Sequence, residues 1–158
     1  MVANFLNNIS IRPAQQEDGG QIGQLIYETV RSINCRDYTE EQVKIWAPDP
    51  YIYSTYEDSY AYVADLDAKV LGFSNLTREG YLHRFYVHKN FQNQGIGSRL
   101  LDEIERKAKI LDLKEIHTES SITAKPFFLA KGYVLREEQI KILRGMKFIN
   151  YKMYKILG

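Results

Sequence analysis

The chain has little of what would tie it to a metal, a disulfide framework, a membrane or a nucleic acid. Cys35 is its only cysteine, which excludes an internal disulfide and any paired-cysteine metal site. No group of His, Cys and Asp has ligand spacing, so no metal is expected. No apolar run approaches the ~20 residues that a bilayer span needs. The amino terminus MVANFLNNIS lacks a basic segment followed by an apolar one, so no export signal is read and a cytoplasmic location is expected. Lys and Arg (21) nearly balance Asp and Glu (20). The one mild basic cluster, Lys141, Arg144, Lys147, Lys152 and Lys155, falls short of the concentrated face that a nucleic acid requires. No repeat, low-complexity tract or Pro/Gly-rich linker divides the 158 residues, so one domain over 1–158 is expected.

What the chain does have is patterned hydrophobicity. Ile9–Arg12 alternates apolar and polar positions and reads as a first strand. Ile22, Leu25, Ile26, Val30 and Ile33 recur at helical spacing between Gln21 and Ile33. Thr39 followed by Glu40 and Glu41 reads as a helix start, and that helix, carrying Val43 and Trp46, ends before Pro48. Cys35, between the two helices, reads as a small packing residue. The aromatic, punctuated stretch Tyr51–Tyr56 reads as a loop. Three strands then form a meander, Ser59–Ala64, Lys69–Leu76 and Tyr81–Val87, each rich in Tyr, Phe or Val. A helix from about Gly97 to Leu111 puts Leu100, Leu101, Ile104, Ala108 and Leu111 on one stripe. Lys114–Glu119 is a further strand. A short helix capped by Ser121 or Thr123 stops at Gly132, and Tyr133–Leu135 and Met146–Ile156 complete the strands. This order predicts an α/β chain, a mixed sheet with helices on both faces.

The chemistry is concentrated between Tyr86 and Leu101, where a strand ends, a polar loop turns on Gly95 and Gly97, and an amphipathic helix begins. Free amides at a helix start, with the helix dipole behind them, suit a pyrophosphate. Glycine lets the backbone approach phosphate without a Cβ in the way. A Walker-type loop would need Lys after Gly97, and a dinucleotide fingerprint would need glycine where Leu100 stands; neither is present.

Gln92-Asn93-Gln94-Gly95-Ile96-Gly97, set between strand and helix, resembles the Gln/Arg-x-x-Gly-x-Gly/Ala signature of the GNAT N-acetyltransferases. Downstream, Ser121 to Tyr133 is similar to the family's Asn-x-x-Ala-x-x-Leu/Phe-Tyr-Glu-Lys-x-Gly-Phe segment. The resemblance covers nearly the whole chain. It implies a GNAT fold with a central, mostly antiparallel sheet of about seven strands and about four flanking helices. It also implies acetyl-CoA as co-substrate and an amine acceptor; no acidic run is present to dock lysine-rich protein tails, so a small molecule is the more readily expected acceptor. By the same resemblance, the backbone of Gln92, Asn93, Gln94, Gly95, Ile96, Gly97 and Ser98 would hold the CoA pyrophosphate. Phe85, Tyr86 and Val87 would pair with the pantetheine like an added strand, and Phe128 and Lys131 would flank the other side.

The sequence departs from the family pattern at its catalytic positions. Phe128 stands where a Tyr often protonates the departing thiolate, Ser121 where an Asn opens the second motif, and Tyr81 where some members carry a basic Glu. Two candidate bases remain: His83, two residues after Tyr81, and Glu119, ending the next strand. Trp46 and Tyr81 are candidates for the acceptor pocket. A CoA-binding module without turnover, or a protein-interaction domain with the fold alone, stays open on sequence, as does monomer against homodimer.

Overall fold

The computed structural model describes residues 2–158. Seven strands form one sheet in the order β1-β2-β3-β4-β5-β7-β6: Ser10–Pro13 (β1), Ser59–Leu66 (β2), Lys69–Thr77 (β3), Tyr81–Val87 (β4), Glu115–Ser121 (β5), Val134–Leu143 (β6) and Met146–Ile156 (β7). Every neighbouring pair is antiparallel except β4 with β5, which is parallel. The helices are Val2–Asn7 (α1), Gly19–Ser32 (α2), Glu40–Trp46 (α3), Ile96–Ile110 (α4) and Lys125–Ala130 (α5).

Two cores form because strand alternation gives each sheet face its own apolar set. On one face, α4 sets Leu100, Leu101, Ile104 and Ala108 against Leu71, Leu76, Leu82 and Ile116. On the other, Ile22, Leu25, Ile26 and Val30 of α2, with Val43 of α3, cover Val63, Val70 and Phe73. α3 starts where Thr39 and Gln42 close a reciprocal cap: Thr39 Oγ1 accepts the Gln42 N–H at 3.1 Å, and Gln42 Oε1 accepts the Thr39 N–H at 2.9 Å.

Three elements differ from the sequence pattern. β6 runs ten residues where only Tyr133–Leu135 reads as strand, because its pairing with β7 supplies hydrogen bonds to a stretch whose side chains are mostly exposed. β2 continues through Asp65 and Leu66, and the turn falls on Asp67 and Ala68, both at positive φ. The helix α1 has no sequence signature, since six residues show no periodicity. Cys35 lies exposed in a 3₁₀ turn, Asn34–Arg36, rather than packed.

Candidate active site

β4 and β5 stay paired for two rungs only, Tyr81↔His117 and Leu82↔Thr118. At the second rung Thr118 Oγ1 donates to the Leu82 carbonyl at 2.8 Å, occupying an acceptor that a continuing ladder would use. The strands then diverge, and a cleft of about 650 Å³ opens between them. His83 and Glu119 stand where the fork begins. The turn that leads into α4 closes the far end.

A bulge at the fork decides which side chains meet there. The β3–β4 register passes from Leu76↔Leu82 to Asn75↔Arg84, which leaves His83 without a partner. Asn75, buried, holds the bulge: its Oδ1 accepts the Arg84 N–H at 3.0 Å and its Nδ2 donates to Ser59 Oγ at 3.1 Å. Alternation is thereby displaced by one residue. Leu82 and Phe85 both face the α4 core, and His83 and Arg84 lie side by side on the opposite face.

His83 is exposed to the open cleft, yet the walls crowd its ring enough to matter. Lost hydration, then the positive charge of Arg84, holds its pKa below the usual imidazole value, so the neutral ring is favoured at neutral pH. Glu119 lines the same cleft, with Lys141 Nζ 3.0 Å from its Oε2. Tyr81 stacks between His83 and His117, each ring centroid at 5.4 Å. Burial and the Glu119 charge push its phenol up to about 12, which keeps it neutral. Tyr81 does not line the cleft, contrary to its reading as an acceptor-pocket residue. It lines a second hollow of about 500 Å³ with Glu79, His117, Arg136 and Lys152, because its position precedes the bulge.

Trp46 does reach the cleft, and it packs as well, edge-on to Tyr38 at 5.3 Å and to Phe148 at 6.1 Å. Burial pushes the phenol of Tyr86, in the same core, well above the ordinary tyrosine range. Thr29 in the last turn of α2 and Asn34 in the 3₁₀ turn that follows it complete this wall. No sequence signal singled them out, since they are polar residues closing an apolar helix stripe.

At the far end the backbone does the work. The His88 N–H bonds to the Leu71 carbonyl on β3 at 2.8 Å, so alternation turns the peptide groups of Phe85 and Val87 toward the splay. The Val87 carbonyl is taken by the Gln92 side chain and by Thr29 Oγ1. Gly95 begins α4 in the left-handed region (φ +91°), and no side chain caps the first-turn amides. A Cβ on Gly95 would meet Leu6 of α1 at 3.3 Å, so it is the turn that demands glycine at that point. Close approach holds at Gly97 instead: a Cβ there would lie 3.3 Å from Phe127 and 3.5 Å from Phe85, filling the cleft.

Of the other loop residues, Gln92, Asn93 and Ser98 line the cleft, Ile96 contributes backbone alone because its side chain is core, and Gln94 does not line it. Phe128 borders the cleft but is 2% exposed, packed on Phe85, Phe127 and Tyr133, so it supports the wall from beneath. Half-buried Phe127 and Lys131 face the opening. The Tyr133 phenol points away, donating to Glu105 Oε2 at 2.9 Å. Ser121 Oγ accepts the Ala124 N–H at 3.0 Å and shapes the entry to α5. α1 braces the turn from outside: Phe5 stacks on Phe91 at 5.4 Å, and Arg99 Nη1 donates to the carbonyls of Leu6 and Ile9.

Free helix-start amides, a glycine-bared wall and an unpaired strand edge together fit an extended, phosphate-bearing molecule. Comparison with known proteins agrees. The family model described as "Acetyltransferase (GNAT) domain" matches residues 34–155. The uncharacterized N-acetyltransferase YafP of Escherichia coli is 29% identical over 150 residues, spanning 94% of this chain and 96% of its own. A GCN5-related N-acetyltransferase from Rhodopseudomonas palustris superposes with a TM-score of 0.88 at 24% identity, covering 94% of this chain and 95% of that one. The PaiA N-acetyltransferase of Thermoplasma acidophilum, solved with coenzyme A, gives a TM-score of 0.70 at 21% identity over 94% and 99% of the two chains.

Proposed function

The chain belongs to the GNAT acetyltransferases, and from that premise we propose that it moves an acetyl group from acetyl-CoA to the primary amine of a small molecule. The observation that carries this reading is the fork: a parallel strand pair that opens after two rungs onto an uncapped helix start. The amides from Gln92 to Ser98 would hold the pyrophosphate, and the Phe85 peptide group and the Val87 N–H the pantetheine arm, with an N–H near the thioester carbonyl. A small-molecule acceptor is supported by the enclosure of the fork end by Trp46, Asn34 and Arg84.

The transfer is direct. An alkyl amine, with a pKa near ~10, gives up a proton before its lone pair attacks the thioester carbon. His83 is the better-supported base, since its ring is held neutral and faces the cleft. Glu119 is engaged by Lys141 and instead contributes negative charge that favours the protonated imidazole. The C–N bond forms, the C–S bond breaks, and the sulfur departs as a thiolate that draws its proton from water. A thiol pKa of about 8.5 makes this departure feasible without the phenol that Phe128 replaces.

Isothermal titration with acetyl-CoA, comparing wild type with Gly97→Gln, tests the assignment. Gln in that narrow wall should weaken binding by about 100-fold, roughly 2.7 kcal/mol, with the fold retained by circular dichroism. Equal affinity in the two proteins would place the cofactor elsewhere. Binding without turnover of any amine would leave an acyl-CoA-binding module.

A further inference from the structure

Arg84 is the one cation at the fork end of the cleft that no carboxylate answers. Among the described residues it makes no ion pair, while the charge of Glu119 in the same cleft is matched by Lys141 at 3.0 Å. Of its five N–H groups, one on Nη1 donates to the Thr55 carbonyl at 2.7 Å. The guanidinium lies over the Tyr53 ring at 5.0 Å, and Tyr53 is itself fixed by a bond from its hydroxyl to the Trp46 carbonyl at 2.6 Å. The group is therefore half-buried and stacked in place, with donors left over. Burial pushes its pKa down, the mark of a charge that lost water without gaining an anion. The Thr55 bond and the Tyr53 stack tie the 51–56 loop to β4, but they use one N–H and one face of the guanidinium, and the group lines the cleft with its other donors unengaged.

We propose that the acceptor is an amine bearing a carboxylate a few bonds away, an α-amino acid in the simplest case, and that Arg84 holds this carboxylate. The inference rests on the acetyl-transfer reading above and names the substrate class of that same site. A planar guanidinium matches a carboxylate through paired N–H···O bonds. One unanswered positive charge suits a monoanion. The bulge then explains the pairing of roles: only because His83 and Arg84 occupy the same face can one receive the ammonium proton while the other holds the carboxylate of the same small molecule. The trade is electrostatically sound, since the bound carboxylate offsets the charge that opposes protonation of His83.

The test offers acetyl-CoA-loaded wild type the standard α-amino acids and their carboxamides, with CoA release as the readout. Each carboxamide keeps the size of its acid and has a more readily deprotonated amine, so any preference for the acid reports the charge. The acids should lead by about 10–100-fold in kcat/KM, the worth of charge-assisted hydrogen bonds. In Arg84→Gln the acid-to-amide ratio should fall to near one, and Arg84→Lys should keep part of it. A ratio near one in the wild type overturns the inference and leaves the acetyltransferase standing. No turnover of either set, with acetyl-CoA shown to bind by titration, overturns the inference, and the acetyltransferase reading falls with it only if a panel of primary amines without a carboxylate also goes unacetylated. If Arg84→Gln fails to fold, the wild-type ratio and Arg84→Lys still decide.

Discussion

One end of the cleft is built chiefly on one stretch, residues 87–98, faced by Phe127 and Lys131, whereas the other is gathered from β4, β5, the end of α2 and Trp46 of α3, with Asn75 of β3 and the loop at 51–56 behind it. The turn end presents main-chain amides at a helix start, braced by α1 from behind. The fork end presents side chains, set by a bulge that Asn75 on the adjacent β3 holds in shape. Backbone chemistry needs only the right turn, so a dozen neighbouring residues suffice. Side-chain chemistry needs several strands in register. The two ends should accordingly fail in different ways when altered.

The largest separation is expected from His83→Gln. It should lower kcat/KM by about 10²–10³-fold, the usual worth of a general base, while acetyl-CoA affinity stays put. The wild type should lose activity as pH falls through a pKa below the ordinary imidazole value, because that pKa is lowered and only the neutral ring accepts a proton. The acid limb should vanish in the variant. An unchanged limb would reassign the base to Glu119.

A middling effect is expected from Asn75→Ala, which touches no ligand. Removing the acceptor of the Arg84 N–H should cost about 1–3 kcal/mol of stability. It should also free the bulge and cut kcat/KM about tenfold, near the mild end of what a misplaced catalytic group costs. Acetyl-CoA affinity should change less than about twofold, as for distant, independent sites. A matching loss of cofactor binding would show the two ends to be one unit, and the comparison above would not stand.

The smallest effect is expected from Gly95→Ala. Its left-handed backbone should cost about 1–2 kcal/mol, seen as a thermal midpoint lower by roughly 2–4 °C for each kcal/mol. Its Cβ points at Leu6 rather than the cleft, so acetyl-CoA binding should survive. Abolished binding would mean that α1 transmits the change into the turn.

Much of the fold was legible because most elements carry their own pattern. The stripe of Leu100, Leu101, Ile104 and Ala108 marks α4, and the Tyr- and Val-rich runs mark the meander. β6 was legible only in its first residues, since Glu137, Glu138 and Lys141 give it no apolar alternation and its order comes from β7. In the cleft, the turn at 92–98 announced itself through its glycines. Thr29, Asn34 and the unanswered Arg84 did not, because nothing in a residue's type says which partners it will lack.

The sequence by itself determined the family, the order of most elements and the glycine turn at 92–98, since each is written in the pattern of neighbouring residues. Only the tertiary structure decided that Gly97 bares the wall while Gly95 turns the chain, that Tyr81 lies outside the cleft, and that His83 and Arg84 share a face. These depend on contacts across strands or between segments far apart in the chain, such as Asn75 with Arg84 across the β3–β4 pair, Leu6 with the turn and Thr118 with Leu82. A strand's alternation is local, but where it slips by one residue is set by its neighbour.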